Sequence, residues 1–88
     1  MTRKDRLLAG ARNNPRGVRF ADLLSLVEAL GFKFLRQDGS HRQYRHPTAA
    51  TAYLNLQPDK NGMAKPKQVR QLLAMVARHG LDPKEDDA

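Results

Sequence analysis

Apolar residues recur at helical spacing near both ends of the chain and with strand-like spacing in between. Residues 3–12 carry a helical pattern after Thr2, which can cap a helix with Asp5 in a variant of the capping box. A second helix is predicted over residues 20–30, where Gly31 suits a left-handed C-cap. The first half of the chain therefore predicts two helices in succession.

Three strands are predicted between these helices and the end of the chain, over residues 32–37, 41–45 and 52–56. Asp38-Gly39 is a strong signal for a two-residue hairpin between the first two strands. A polar loop follows the third strand at residues 57–62. Short connections between successive strands favour an antiparallel meander.

The last helix is predicted to begin at Pro66, because proline suits the first helical position, and to end at Gly80 and Pro83. The order helix, helix, three strands, helix predicts an α+β fold of two layers. The helices would pack on one face of a three-stranded antiparallel sheet, and the other face would be open to solvent.

The same pattern predicts the domain organisation. We expect an N-terminal helix and connector over residues 1–19, a domain over 20–80, and a flexible acidic tail over 81–88.

Charge narrows the possible partners. Sixteen Lys and Arg against nine Asp and Glu give a net charge of +7 over 88 residues. Such a surface attracts polyanions, so nucleic-acid contact is favoured over simple solubility. An acidic protein partner would satisfy the same charge.

Cysteine is absent, which excludes disulfides and thiolate metal sites and fits a cytoplasmic protein. The sequence contains neither an apolar run long enough to span a bilayer nor an N-terminal signal peptide, so no membrane association is expected.

Strand parity predicts which side chains occupy the open face. With Tyr44, Leu54 and Leu56 as inward anchors, Arg42 and His46 also lean inward. The outward residues are then His41, Gln43, Arg45, Tyr53 and Asn55. Arginine can neutralise phosphate and tyrosine can stack on a base of single-stranded RNA. An ordinary polar sheet face is the alternative, and a register slip of one residue would reverse the assignment.

His41 is the candidate catalytic residue. RNA carries its own nucleophile, the 2′-hydroxyl, so a histidine base could start its cleavage without a metal or other cofactor. Gly39 would let a phosphate approach the backbone, and Ser40 can donate a hydrogen bond. The alternative is that His41 is a bystander after a turn.

The other two histidines have structural interpretations. His46 could act as the acid, but a half-buried ring at a strand end is favoured. His79 suits a helix C-terminus. His41 and His46 should face opposite sides of one strand, which argues against zinc.

Lys65 and Lys67 flank Pro66 at the start of the last helix, where unpaired N–H groups attract phosphate. A solvated helix start explains these lysines equally well.

The segment 36–47, preceded by Gly31-Phe32, resembles the signature of HicA toxins. Residues 55–57 and 62–70 are similar to the second half of longer family members, and the resemblance extends over about 20–73. Arg42 replaces a second histidine found in many members, and Gln57 replaces a histidine of short members.

The resemblance implies a fold like the double-stranded-RNA-binding domain. It also implies mRNA cleavage by a single histidine, here His41, and neutralisation by a HicB antitoxin that covers the site. The residues expected to bind RNA are Gly39, Ser40, Arg42, Gln43, Arg45, Tyr53, Lys65 and Lys67. The competing hypotheses are a non-catalytic RNA-binding module and a module that docks an acidic protein.

Overall fold

Three helices and three strands follow one another in the order that the apolar pattern predicts. The computed structural model describes residues 2–49 and 52–83, so residues 84–88 of the predicted tail lie outside it. The elements are α1 (Arg3–Asn13), a 3₁₀ turn (Pro15–Gly17), α2 (Phe20–Ala29), β1 (Lys33–Asp38), β2 (His41–Arg45), β3 (Tyr53–Leu56) and α3 (Pro66–His79). The fold is α+β and consistent with that of the double-stranded-RNA-binding domain, as expected.

Local chemistry accounts for the helix ends. The Thr2 hydroxyl accepts from the Asp5 backbone N–H at 3.2 Å, and the Asp5 carboxylate accepts from the Thr2 backbone N–H at 3.3 Å. The hydrogen bonds from Thr2 hold the pKa of Asp5 below its usual range. Gly31 has φ 96° after α2, and Gly80 caps α3 with φ 61°. The predicted capping box and glycine caps are therefore confirmed.

The three strands form an antiparallel sheet in the order β1-β2-β3. Asp38 pairs with His41, so Gly39 and Ser40 are the two central residues of the hairpin turn. The prediction that Asp38-Gly39 forms the turn was thus wrong by one residue. Gly39 has φ 60° and Ser40 has no positive φ, a pattern that matches turns with glycine at the first central position.

Strand β1 contains a β-bulge. Its register with β2 shifts between Phe34 and Arg36, so Leu35 is an extra residue on the bulged strand. A bulge changes the direction of nearby side chains and bends its strand. Leu35 and Arg36, which simple alternation would place on opposite faces, consequently both line the open face.

The core lies between the inner sheet face and the helices. Tyr44, Leu54 and Leu56 are 0–1% exposed, as the predicted inward parity requires. From the helices, Leu8, Ala11, Leu23, Leu26, Val27, Val69, Leu72 and Val76 belong to the same buried cluster. Helix α1 therefore packs into the same core as the rest of the chain.

His46 is a structural residue at the end of β2. Its Nε2–H donates to the Leu30 carbonyl at 3.0 Å, and its Nδ1 accepts from the backbone N–H groups of Thr48 at 3.3 Å and Ala49 at 3.2 Å. Its side chain is 8% exposed and its ring packs edge-on against Phe32. Both ring nitrogens are thus engaged in joining β2 to the end of α2.

No helix within residues 2–49 and 52–83 is long and apolar enough to cross a membrane.

Candidate active site on the open sheet face

His41 begins β2 directly after the hairpin turn, and its side chain is exposed. Its Nδ1–H donates to Oδ1 of Asn55 on β3 at 3.3 Å. Since a carbonyl oxygen can only accept, this bond places the proton of the neutral ring on Nδ1. Nε2 then carries the lone pair, and no group in the described part of the chain hydrogen-bonds to it. The ring therefore presents a base to solvent.

The His41–Asn55 hydrogen bond is one bridge between β2 and β3, and a second bridge lies next to it, between the hairpin turn and the end of β3. Gln57 Nε2 donates to the Ser40 hydroxyl oxygen at 2.8 Å. The Lys65 ammonium donates to Gln57 Oε1 at 3.2 Å. The backbone N–H of Gln57 donates to Oε1 of Gln68 at 3.2 Å, which ties this strand end to the first turn of α3. Lys65 is thereby connected to the residue that precedes His41.

The loop that leads to Lys65 is fixed by hydrogen bonds within the loop and to the connector before α2. Asp59 Oδ1 accepts from the backbone N–H groups of Asn61 at 2.8 Å and Met63 at 2.9 Å. The Ala64 backbone N–H donates to the Val18 carbonyl at 2.8 Å, which attaches the loop to the connector before α2. These bonds fix the path of the chain into α3.

A polar network fixes the middle of the face. Arg36 Nε donates to Gln43 Oε1 at 3.1 Å, and Gln43 Nε2 donates to the Asp38 carboxylate at 3.3 Å. Arg36 Nε also lies 3.5 Å from the same carboxylate. The Gln43 side chain is therefore held by neighbours on both sides.

Next to this network lies an open groove of about 540 Å³. Its lining residues are Leu35, Arg36, Gln43, Arg45 and Tyr53. Leu35 is 48% and Tyr53 38% exposed, so the groove presents two large apolar side chains to solvent. The groove combines an aromatic ring, an aliphatic wall and two guanidinium groups.

The structure brings together most of the predicted site residues. Gly39, Ser40, His41, Gln43, Arg45 and Tyr53 lie on or beside the open face, and Lys65 joins them through Gln57. Arg42 lies on the inner face, with its guanidinium 5.9 Å from the centre of the Phe34 ring. Lys67 is exposed in the first turn of α3 and makes no hydrogen bond or ion pair with these residues in the described chain.

The sequence assigned no role to Asn55 beyond its outward direction and marked Gln57 only as replacing a histidine of short family members. The roles of Gln68 and Leu35 were missed. Gln57 follows Asn55 by two positions along the chain, so side-chain alternation could have placed both on the same face. Nothing in the sequence marks the bulge at Leu35 or the contact of Gln68 with the strand end.

Among residues 2–49 and 52–83, no group of three or more His, Cys, Asp or Glu side chains could hold a metal ion.

An open sheet face with cationic, amide and aromatic side chains, backed by helices, defines a small α+β protein whose fold is consistent with that of the double-stranded-RNA-binding domain. Residues 20–77 match the family described as HicA toxin of bacterial toxin-antitoxin. The chain belongs to the HicA toxin family and is thus a toxin of a toxin–antitoxin system, with an antitoxin as its partner. The comparisons with curated proteins and with solved structures gave no match.

Proposed function

We propose that this toxin is a metal-independent endoribonuclease that cleaves mRNA in the cytoplasm, with His41 as its single catalytic histidine. The observation that carries the proposal is the orientation of His41, whose Nδ1–H is bound to Asn55 while Nε2 faces solvent on the open face. Membership of a family that generally consists of ribonuclease toxins supports it.

The chemistry needs a base next to a bound phosphate. Nε2 of His41 takes the proton of the 2′-hydroxyl, and the 2′-oxygen attacks the adjacent phosphorus. The bond from phosphorus to the 5′-oxygen breaks, the departing oxygen takes a proton from solvent water, and His41 returns its proton to the solvent. The products are a 2′,3′-cyclic phosphate and a 5′-hydroxyl. A positioned base of this kind contributes roughly 10²–10⁴-fold to the rate.

The groove lies farther along the same face as His41, beyond Gln43, and would hold a nucleotide near the scissile phosphate. Tyr53 offers a ring on which a base can stack, and Arg45 offers a cation for the backbone. Gln43 stands between them and His41 on the same face. An unpaired RNA strand suits this face because its bases are free to stack, whereas paired bases are not.

We further propose that a HicB-type antitoxin covers this face. The exposed Leu35 and Tyr53 provide apolar contact area, and the net charge of +7 favours an acidic partner surface. Such a partner would exclude RNA from His41.

The direct test is cleavage of a single-stranded RNA in the presence of a chelator. The wild type should release 5′-hydroxyl ends, and His41→Ala should release none. His79→Ala, a histidine at the far end of α3, is the matched control and should cleave normally. Dependence on a metal, or cleavage of an all-deoxy strand of the same sequence, would rule the mechanism out.

The second candidate is an RNA-binding module without catalysis, favoured by the position of Lys65 and Lys67 at the start of α3. Under this hypothesis, His41→Ala keeps every activity of the protein, including growth arrest on expression. Substitution of either lysine would weaken RNA binding and reduce its dependence on salt.

A further inference from the structure

We propose that Gln57 is a positioning residue that orients the Ser40 hydroxyl and the Lys65 ammonium as a phosphate-binding pair beside His41. This inference rests on the proposed ribonuclease function and adds to it the groups that hold the scissile phosphate. The three side chains form one relay, with Gln57 Nε2 2.8 Å from Ser40 Oγ and Lys65 Nζ 3.2 Å from Gln57 Oε1.

The direction of each hydrogen bond determines what the relay offers to a ligand. The amide nitrogen of Gln57 can only donate, so the Ser40 oxygen accepts and its own proton stays available. Lys65 has three N–H donors and uses one of them in its hydrogen bond to Gln57 Oε1. Both ends of the relay therefore present unused donors, and a phosphate group, which accepts through several oxygens, is the complementary ligand.

Gln57, the central residue of the relay, and Lys65 are both held in place by their surroundings. The backbone of Gln57 is bound to the Gln68 side chain of α3, and its side chain is partly buried. Lys65 is also partly buried, and within residues 2–49 and 52–83 no carboxylate forms an ion pair with it. Its charge is consequently fixed in place and uncompensated, which strengthens its attraction for an anion.

The relay lies where the reaction needs a phosphate. Ser40 directly precedes His41, and Gln57 follows the His41 partner Asn55 by two residues. Two residues along a strand span about 6.6 Å, so the two bridges lie side by side within the length of one nucleotide. A phosphate bound by Ser40 and Lys65 would bring its neighbouring 2′-hydroxyl towards His41.

A mutant cycle on cleavage tests the relay. Ser40→Ala removes the hydroxyl donor and should slow single-turnover cleavage of a short RNA by about tenfold. Gln57→Leu releases both the hydroxyl and the Lys65 ammonium and should slow it by at least as much. The double variant should be no slower than Gln57→Leu, because the loss of the Ser40 contact is already included in that variant. Gln71→Leu, an exposed glutamine of α3, is the control and should keep the wild-type rate. A wild-type rate in Gln57→Leu, or losses that multiply, would overturn the proposal.

A phosphorothioate substrate separates positioning from a general structural defect. Sulfur in place of one non-bridging oxygen is a poorer acceptor, so one diastereomer should be cleaved more slowly by the wild type. Ser40→Ala and Gln57→Leu should both lose this preference, while Gln71→Leu should retain it. An unchanged preference in Gln57→Leu would contradict the relay, even if its rate fell.

Binding of a 2′-deoxy oligonucleotide, which has the phosphate but lacks the nucleophile, tests the relay without any cleavage. Affinity should fall about tenfold in Lys65→Ala and in Gln57→Leu, and by less than the product of the two in the double variant. Losses of affinity that multiply in the double variant would overturn the relay. An active His41→Ala would instead refute the ribonuclease proposal, so the two failures can be told apart.

Discussion

His41 Nδ1–H donates to Asn55 Oδ1 across β2 and β3 at 3.3 Å, and this bond decides which imidazole nitrogen faces the open sheet surface. A histidine whose one nitrogen is held in this way offers the other as a base in a defined direction. The amide of Asn55 orients the ring without placing a negative charge beside it. Asn55 is therefore the residue of the sheet that fixes the orientation of the His41 ring.

Replacement of Asn55 by alanine should lower the rate of cleavage by roughly tenfold, because one orienting hydrogen bond is lost. His41→Ala should lower it by at least about 100-fold, since the base itself is removed. Single-turnover assays at saturating protein give both numbers, and Asn61→Ala on the exposed loop is the control. Equal losses in Asn55→Ala and Asn61→Ala would show that the bond has no role in orientation.

Asn55→Asp provides a sharper version of the same test. A carboxylate beside the ring favours its protonated form, which cannot act as a base. The acidic limb of the pH–rate profile should therefore move to higher pH in this variant. Asn55→Ala adds no charge and should leave the limb in place. An unshifted limb in Asn55→Asp would mean that His41 is not the group whose deprotonation limits cleavage.

The ring of Tyr53 should carry most of the base stacking in the groove. Tyr53→Ala is expected to weaken binding of single-stranded RNA by about tenfold, within the range of one stacked base. Tyr53→Phe keeps the ring and should bind normally. Fluorescence anisotropy in a His41→Ala background measures this without cleavage of the probe. Equal weakening in both variants would assign the contact to the hydroxyl group instead.

Arg45 should contribute one phosphate contact. Each such contact adds about 0.7 to the slope of log affinity against log salt for a single strand. Arg45→Gln should reduce the slope by about that amount, and Arg78→Gln, in the last turn of α3, should leave it unchanged. Titrations at several salt concentrations give the slope, and an equal reduction in both variants would indicate steering by total charge rather than a contact at the groove.

The composition of the open face could be predicted because one side of the sheet is buried. Leu54 and Leu56 must point into the core, which determines the outward direction of Asn55, and Tyr44 as the inward anchor of β2 determines that of His41. The helix caps at Thr2 and Gly80 depend only on adjacent residues, which is why they were also predictable.

The relay could not be predicted, because it depends on where a loop ends. Gln57 meets Lys65 only because the chain between them turns back through the hydrogen bonds of Asp59. The bulge at Leu35 was equally hidden, since no glycine or proline marks that position in β1. It keeps Arg36 on the open face beside Leu35, whereas alternation from Phe34 alone assigns Arg36 to the inner face.

His46 should matter for stability and not for cleavage. His46→Ala would leave the Leu30 carbonyl and the backbone N–H groups of Thr48 and Ala49 without their partner. Each unsatisfied buried group costs about 1–3 kcal/mol, and entry of water reduces the sum, so a loss of roughly 2–3 kcal/mol is expected. Urea unfolding measures it. Cleavage per folded molecule should stay at the wild-type level, and its loss would restore His46 as a candidate acid.

Two glycine-to-alanine substitutions should change stability in opposite directions. Gly31 has φ 96°, and an added Cβ would lie 2.9 Å from Nε2 of His46, so Gly31→Ala should cost about 1–3 kcal/mol. Gly10 lies inside α1, where an added Cβ would meet nothing within 4 Å, so Gly10→Ala should stabilise the protein by roughly 0.5–1 kcal/mol. Urea unfolding midpoints of the two variants against the wild type provide the comparison. A stabilised Gly31→Ala would show that the left-handed turn and the His46 contact do not constrain this position, and a destabilised Gly10→Ala would show that α1 packs differently at its exposed face.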